Sequence, residues 1–266
     1  MTITTIDDIA TALAAAQRRN VMKVSAAPKG AGAWQSQWKA AGFPGAGSDS
    51  PAYTVGSGYT CDKSTAGAIG YTNAAVQNYL ARMSFGSTQT GLLVLADRLW
   101  SCSGMGPGAG TYTVTTPGSL PARITDSGVG CELWVEQFTG AGAVTGTLTA
   151  NYVATVAGAK AGVISTLVST PVIGQMQPVP LQVGDLGISQ LTSVVTSNTW
   201  TSGSFGMTIL KRIAEIPFPL ANCGGVLDWA AIGLPAIPND ACLMLMFLAN
   251  GSTGPNLFGK LDIIDK

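Results

Sequence analysis

The chain has 266 residues, of which only 11% are charged and none is histidine. Without histidine, the Ser-His and Cys-His nucleophile pairs, the commonest general base and most zinc sites are excluded. Fourteen basic and fourteen acidic residues give zero net charge, so long-range attraction to nucleic acid or to an anionic membrane is weak.

The composition favours a β-rich body that associates with other subunits. The chain contains 34 glycines, and 46% of its residues are hydrophobic. A mean hydropathy of +0.31 is high for a soluble protein, which indicates that a neighbouring molecule covers some apolar surface. Zero net charge also favours association. The most apolar stretch, Cys242–Ala249, has eight residues, whereas about 20 are needed to span a membrane as a helix.

The first predicted element is an amphipathic helix that begins after Thr5. Thr5 is a suitable N-cap residue, acidic residues follow it, and Arg18 and Arg19 are expected in the last turn, where cations complement the helix dipole. The acidic start differs from the basic start of a signal peptide. The helix must pack on the body or on a neighbouring subunit through an apolar stripe that contains Ile6, Ile9 and Leu13.

A glycine-rich arm follows the helix. Trp34 and Trp38 are four residues apart, which predicts a short helix with both rings on one face and Gly42 at its end. The two rings either anchor the arm to the core or form a contact site for a partner. Residues 45–58 are expected to form an irregular loop. The candidate interface residues are Ile6, Ile9, Leu13, Trp34, Trp38 and Phe43.

From about residue 79 the hydrophobic pattern alternates with a period of two, which predicts strands. Frequent turn signals separate them and little helix lies between them, which favours a mainly β protein with an antiparallel β-sandwich or jelly-roll body. Two regions are predicted: the helix and arm at 1–58 and the body at 59–266. The strand candidates are Tyr79–Phe85, Leu92–Leu99, Cys131–Phe138, Thr145–Thr155, Val163–Val168, Gln177–Val183, Gln190–Ser197, Gly206–Ile216, Ala241–Ala249 and Leu257–Ile264.

Prolines interrupt the C-terminal third of the chain. The segment Ile216–Asp240 contains four of them, at 217, 219, 235 and 238. Proline removes a backbone donor and breaks helices. We therefore expect an extended crossover here, with at most one helical turn within Val226–Ile232.

Charged residues form no recognisable catalytic pair in the sequence. Glu132 and Glu136 share one face of a predicted strand and are about 13 Å apart, too far for a glycosidase pair, so both are expected to be solvated. Asp97 and Arg98 form a charge pair inside an apolar run. Such a pair is expected at a strand end or in a contact that determines specificity.

Glycine and cysteine patterns also indicate no site. Gly104–Gly110 superficially resembles a phosphate loop, but a proline interrupts it and no Lys-Ser/Thr follows. The five cysteines are widely spaced and are expected to be reduced and buried. A disulfide between Cys61 and Cys102 is the alternative. The sequence thus predicts no enzyme, no catalytic residue, no cofactor and no metal site.

Three stretches, Ala31–Gly45, Leu93–Gly104 and Phe205–Pro217, resemble a group of structural proteins from tailed-bacteriophage virions. The resemblance extends over most of the chain, and its motifs are structural. It implies a capsid decoration (cement) protein that stabilises the head lattice, located in the virion and assembled in the bacterial cytoplasm. The partners it implies are copies of the chain itself, as a homotrimer, and the major capsid protein, with no nucleic acid and no membrane.

Two alternatives remain open. The chain could be another capsid or tail shell component, including the major capsid protein itself. The absence of a long predicted spine helix counts against the latter. It could also be a glycan-binding β-domain of a tail fibre, for which Trp134 between Glu132 and Glu136 is the only basis.

Overall fold

The computed structural model describes residues 5–25, 30–48, 58–106, 108–114, 120–143, 146–155, 158–197 and 201–265. Within these ranges the chain is mainly β and antiparallel, as predicted. The helices are α1 (Ile6–Ala14) and α2 (Trp229–Ile232). The strands are β1 (Gln17–Val24), β2 (Trp34–Ser36), β3 (Ala41–Phe43), β4 (Tyr59–Thr60), β5 (Asn78–Ser87), β6 (Gly91–Met105), β7 (Gly110–Thr113), β8 (Cys131–Thr139), β9 (Leu148–Ala154), β10 (Ala159–Ile164), β11 (Gln175–Pro178), β12 (Ile188–Thr196), β13 (Ser204–Phe218), β14 (Cys223–Asp228), β15 (Ala236–Ile237), β16 (Leu243–Ala249) and β17 (Asn256–Asp265).

The strands form three groups. The outer sheet has the order β14-β5-β17-β1-β3, and β15 also pairs with β5. The small sheet has the order β10-β9-β12-β7. The third group runs β13-β8-β11-β2-β16-β6, with β4 added beside β6, and β13 also pairs with β6. That last pairing closes six strands into a ring, which we call the central barrel.

Both sheets pack against the outside of the central barrel, which gives a sandwich-like arrangement. Leu93 and Leu95 of β6 belong to the apolar cluster shared with the outer sheet. Further along the same strand, Leu99 belongs to the cluster shared with the small sheet. A third cluster has members from all six ring strands, among them Val94 and Trp134, and so fills the barrel interior. The jelly-roll topology is not established by this strand order and stays a prediction.

Most predicted strands are confirmed, and two are displaced. The candidate Val163–Val168 overlaps only the end of β10, and Gln177–Val183 overlaps only the end of β11. Pro178 and Pro180 explain the second displacement, because proline cannot donate to a sheet hydrogen bond. Thr145, at the start of one candidate, lies outside the described residues.

The N-terminal helix is confirmed, but its predicted end is wrong. Thr5 accepts a hydrogen bond from the Asp8 N–H at 3.2 Å, and the Asp8 carboxylate accepts one from the Thr5 N–H at 2.8 Å. The helix ends at Ala14, and Arg18 and Arg19 lie in β1 instead of its last turn. All eight residues of β1 pair with β17, and this distant pairing determines the strand.

The short helix predicted around the two arm tryptophans is also wrong. Trp34 begins β2, which pairs with β11 and β16, and Gly42 lies within β3 with φ +133°. The first 58 residues thus supply three strands to groups that also contain later strands. The division at residue 58 stays a prediction, and residues 49–57 of the expected loop lie outside the described ranges.

The proline-rich segment is more ordered than expected. Ile216–Asp240 contains β14, α2 and β15, so the extended crossover is only partly correct. The single helical turn is confirmed as α2, where Asp228 accepts hydrogen bonds from the N–H groups of Ala230 and Ala231, both at 3.1 Å. Within the described ranges, no helix is long and apolar enough to cross a membrane.

Candidate functional site

An apolar row crosses the solvent-facing side of the outer sheet. Gly224, Gly86, Phe258, Met22 and Phe43 lie opposite one another on five adjacent strands. Residues paired in this way project from the same face of a sheet. Phe258, Met22 and Phe43 are 57%, 51% and 64% exposed. The row is about 20 Å long, given the spacing of roughly 4.8 Å between strands.

Two exposed valines extend the row along the strands. Val24 lies two residues beyond Met22 on β1, and Val226 lies two residues beyond Gly224 on β14. We call Met22, Val24, Phe43, Val226 and Phe258 the apolar face. An antiparallel sheet that packs on one side usually carries polar residues on the other. Contiguous exposed apolar residues of this kind mark a contact surface.

A shallow groove lies beside Phe258 on the same face. Its volume is about 390 Å³, and Gly86, Gly224 and Gly225 form part of its lining with Val226 and Lys260. A Cβ atom at Gly86 would overlap the Phe258 ring, so the ring lies against bare backbone. The groove is suited to receive an apolar side chain from a neighbouring protein.

The six candidate interface residues do not form one surface. Ile6 is exposed, Ile9 is buried, and Leu13 packs beside Ala81 and Ile264 at the base of α1. Phe43 alone of the six belongs to the apolar face.

Trp34 and Trp38 contact aromatic and charged side chains of the central barrel. The Trp34 ring meets the Trp134 ring edge to face with centroids 5.4 Å apart. Trp38 is buried, and the Arg98 guanidinium lies 4.6 Å from its ring centroid. Of the two roles left open by the sequence, the contacts of Trp38 fit that of a core anchor.

A fully buried ion pair lies in the central barrel. Arg98 and Glu136 are 2.7 Å apart, and neither side chain is exposed. Thr208 donates a hydrogen bond to Glu136 at 2.7 Å, and Arg98 donates one to Ser101 at 2.7 Å. The prediction that Glu136 is solvated is therefore wrong. Strand alternation could not reveal this, because the ring closure that covers Glu136 depends on distant strands.

A second buried ion pair lies outside the barrel, between the two apolar clusters. Arg123 contacts both carboxylate oxygens of Asp97, at 2.8 and 2.9 Å. The Cys242 N–H also donates to Asp97, at 2.8 Å. Burial raises the pKa of Asp97, although the hydrogen bonds and charge of Arg123 act in the opposite direction. Asp97 and Arg98 therefore each bind a different partner, because adjacent strand residues point to opposite faces.

The Asp97–Arg123 pair borders a cavity of about 240 Å³. Lys211 and Asp126 form an ion pair at 2.6 Å on its wall, and Arg212 contacts Glu132 at 2.9 Å. Each charged group that lines this cavity thus has an ionic partner, and these ion pairs fix loops to strands.

No disulfide links any two of the five cysteines in the structure. Four are buried and Cys223 is half-buried. Cys61 lies in the barrel-interior cluster and Cys102 in the cluster facing the small sheet, so the alternative Cys61–Cys102 disulfide is not formed. Burial raises the pKa of Cys102 and of Cys131 to about 12, and a neutral thiol is a poor nucleophile. No group of three His, Cys, Asp or Glu side chains that could hold a metal ion occurs in the described part of the chain.

The Lys23 side chain is enclosed between β1, from which it projects, and the arm. Its ammonium group donates to the carbonyl oxygens of Ala40, Pro44 and Gly45, at 3.3, 2.8 and 3.2 Å. Burial lowers the pKa of Lys23 from 10.5 to about 8. Between these pH values the folded amine loses its proton while the unfolded amine keeps it, so the folded state gains stability as pH rises.

We therefore expect Lys23 to add a pH dependence that the variant Lys23→Met lacks. The free energy of unfolding of the wild type, relative to the variant, should rise by about 1–3 kcal/mol between pH 8 and pH 10.5. Urea unfolding at closely spaced pH values measures this difference, in which the titration of other lysines, tyrosines and cysteines cancels. A difference that does not change with pH would show that Lys23 titrates as an ordinary lysine.

The geometry defines an antiparallel β protein with an exposed apolar face on its outer sheet. No family model matches the chain, and no curated protein matches it significantly. Among solved structures, a chain of "Structure of infectious bursal disease virus Gt strain" aligns at 9% identity, covering 94% of this chain and 81% of that chain. The TM-score of 0.16 is too low for that alignment to support a fold or a function.

Proposed function

We propose that this chain is a structural protein of a tailed-bacteriophage virion, and that it decorates the head lattice and stabilises it through subunit contacts. The observation that carries the proposal is the apolar face. Phe258, Met22 and Phe43 are large side chains exposed in one row on a regular sheet. Exposing such a row to water is unfavourable, and covering it with another protein lowers the free energy.

The charge balance and the sequence resemblance support the same proposal. The chain has zero net charge, so repulsion between copies is small and close packing around a symmetry axis is favoured. The stretches that resemble phage virion proteins include Phe43 of the apolar face. The proposed partners are two further copies of the chain, in a trimer, and the major capsid protein beneath it.

The glycan-binding alternative loses its only basis. Trp134 and Glu136 are buried, and Trp134 donates its indole N–H to Glu132 at 2.9 Å. Stacking against a sugar ring needs an exposed aromatic face, and the buried Trp134 offers none.

Binding to undecorated heads tests the proposal directly. Purified chain is mixed with heads that lack it, the heads are pelleted, and the bound protein is quantified against the number of lattice sites. We expect saturable binding at a fixed ratio to the major capsid protein. Saturation without a lattice ratio, or no binding at all, would overturn the decoration role.

Light scattering after gel filtration tests the proposed trimer, and a monomer at micromolar concentration would contradict it.

A substitution in the apolar face tests which surface makes the contact. Phe258→Asp places a charge at the centre of the row and should weaken binding to heads or copies by at least about 30-fold, the effect typical of an interface hot spot. Val183→Asp is the matched control, because Val183 is fully exposed and lies outside the apolar face. Equal binding by the two variants would exclude the apolar face as the contact.

A further inference from the structure

Two cysteines from distant parts of the chain meet beside β6. The strands β4 and β16 both pair with the same edge of β6 and follow one another along it. At their junction, Cys61 donates its N–H to the carbonyl of Leu99 at 3.0 Å, and the Cys242 carbonyl accepts the Arg98 N–H at 2.9 Å. Cys61 and Cys242 therefore occupy consecutive positions along one strand edge.

The side chains of these two cysteines also meet. Both residues are 0% exposed and belong to the barrel-interior cluster. Burial, and after it the Cys61 thiol, raises the pKa of the Cys242 thiol, which places the two side chains near each other. The Asp97–Arg123 pair holds both backbones in place, because Arg123 donates to the Cys61 carbonyl at 2.7 Å and Asp97 accepts the Cys242 N–H at 2.8 Å.

We propose that Cys61 and Cys242 form a disulfide when the protein is exposed to an oxidising solution. A disulfide needs Cα atoms within about 7 Å of each other, and neighbouring positions along a strand edge differ by roughly 3.4 Å of rise. Cys102 does not compete, because it lies in the cluster that faces the small sheet. The crosslink would join the residue that follows β4 to the residue that precedes β16 in the C-terminal third of the chain.

A small disulfide such as oxidised glutathione supplies the oxidant. One cysteine thiolate attacks it, forms a mixed disulfide and releases one glutathione thiolate. The second cysteine attacks the mixed disulfide, forms the Cys61–Cys242 bond and releases the second glutathione. The two cysteines lose two protons and two electrons, and oxidised glutathione gains them. Burial raises the pKa of Cys242, so thiolate is scarce and oxidation of the folded protein is slow.

The test is refolding of the full chain from denaturant in oxidised and reduced glutathione, where every thiol is accessible until the fold forms. We expect two of the five thiols to disappear in a thiol titration and mass spectrometry to find one peptide that links Cys61 to Cys242. The crosslinked protein should unfold at a Tm several degrees higher than the reduced protein, since the bond closes a long loop.

Single serine variants provide the controls. Cys61→Ser and Cys242→Ser should each retain every remaining thiol, whereas Cys102→Ser should still lose two. If the refolded wild type keeps five thiols under conditions that oxidise a model dithiol, or links a different pair, the proposal is wrong. This outcome is independent of binding to phage heads, so it leaves the proposed function untouched.

Discussion

Replacing Glu136 with leucine should destabilise the protein by about 3–5 kcal/mol. Arg98 and Glu136 are both fully buried and 2.7 Å apart. The substitution leaves the Arg98 guanidinium charged in the central barrel, above the Trp38 ring and without a carboxylate. A buried charge without its partner is far more costly than the intact pair. Guanidinium chloride unfolding, followed by tryptophan fluorescence, measures the loss.

A double-mutant cycle separates the pair from the packing around it. Arg98→Met alone should also cost about 3–5 kcal/mol, because it strands the Glu136 carboxylate. The double variant should cost much less than the sum of the two, since no unpaired charge remains. Glu132→Gln is the control on the same strand: Glu132 is 36% exposed at its side chain, against 0% for Glu136, and should cost less than about 1 kcal/mol. Equal costs at the two glutamates would contradict the buried pair.

The strands that the sequence predicts correctly carry a recognisable hydrophobic pattern within their own residues. Cys131–Phe138 and Leu257–Ile264 carry enough apolar residues at alternate positions to identify themselves. By contrast, β1 begins with Gln17, Arg18 and Arg19 and has no comparable pattern. It becomes a strand because β17, more than 200 residues away, pairs with its full length. Local periodicity carries no information about such a partner.

The apolar face is only partly predictable for a related reason. The aromatic residues of the arm predict Phe43 as an interface residue, whereas no local pattern singles out Met22 or Phe258. The apolar row exists because five strands from distant parts of the chain place one residue each at the same register. Whether a residue such as Phe258 is covered depends on which elements pack over its face. That information is not contained in the strand's own residues.

Arg123→Met should be as damaging as the loss of Glu136, at about 3–5 kcal/mol. Arg123 is the cation that contacts both oxygens of the buried Asp97, and its removal leaves that carboxylate with the Cys242 N–H as its remaining described donor. Asp97 lies on β6 between Leu95 and Leu99, which belong to different apolar clusters. The loss of Arg123 should therefore weaken the junction where the apolar cluster shared with the outer sheet meets the cluster shared with the small sheet.

The same variant should become more pH-dependent, with a sign that identifies Asp97 as the cause. Burial raises the pKa of Asp97 in the folded protein, and without Arg123 nothing comparable lowers it. Above the unfolded pKa, near 4, the folded state then holds the proton more tightly, so stability falls as pH rises. Arg123→Met should be closer to wild-type stability at pH 5 than at pH 8, as measured by urea midpoints.

Two further variants test whether the unpaired Asp97 carboxylate causes the loss of stability in Arg123→Met. Adding Asp97→Asn to Arg123→Met should recover much of the stability and remove the added pH dependence, because the amide is neutral and its oxygen can still accept the Cys242 N–H. Lys211→Met removes a cation from the same cavity, but its partner Asp126 is exposed, so it should cost less than about 1 kcal/mol. If Asp97→Asn gives no recovery, the damage comes from lost Arg123 packing. The buried carboxylate would then not be what couples the two halves of the fold.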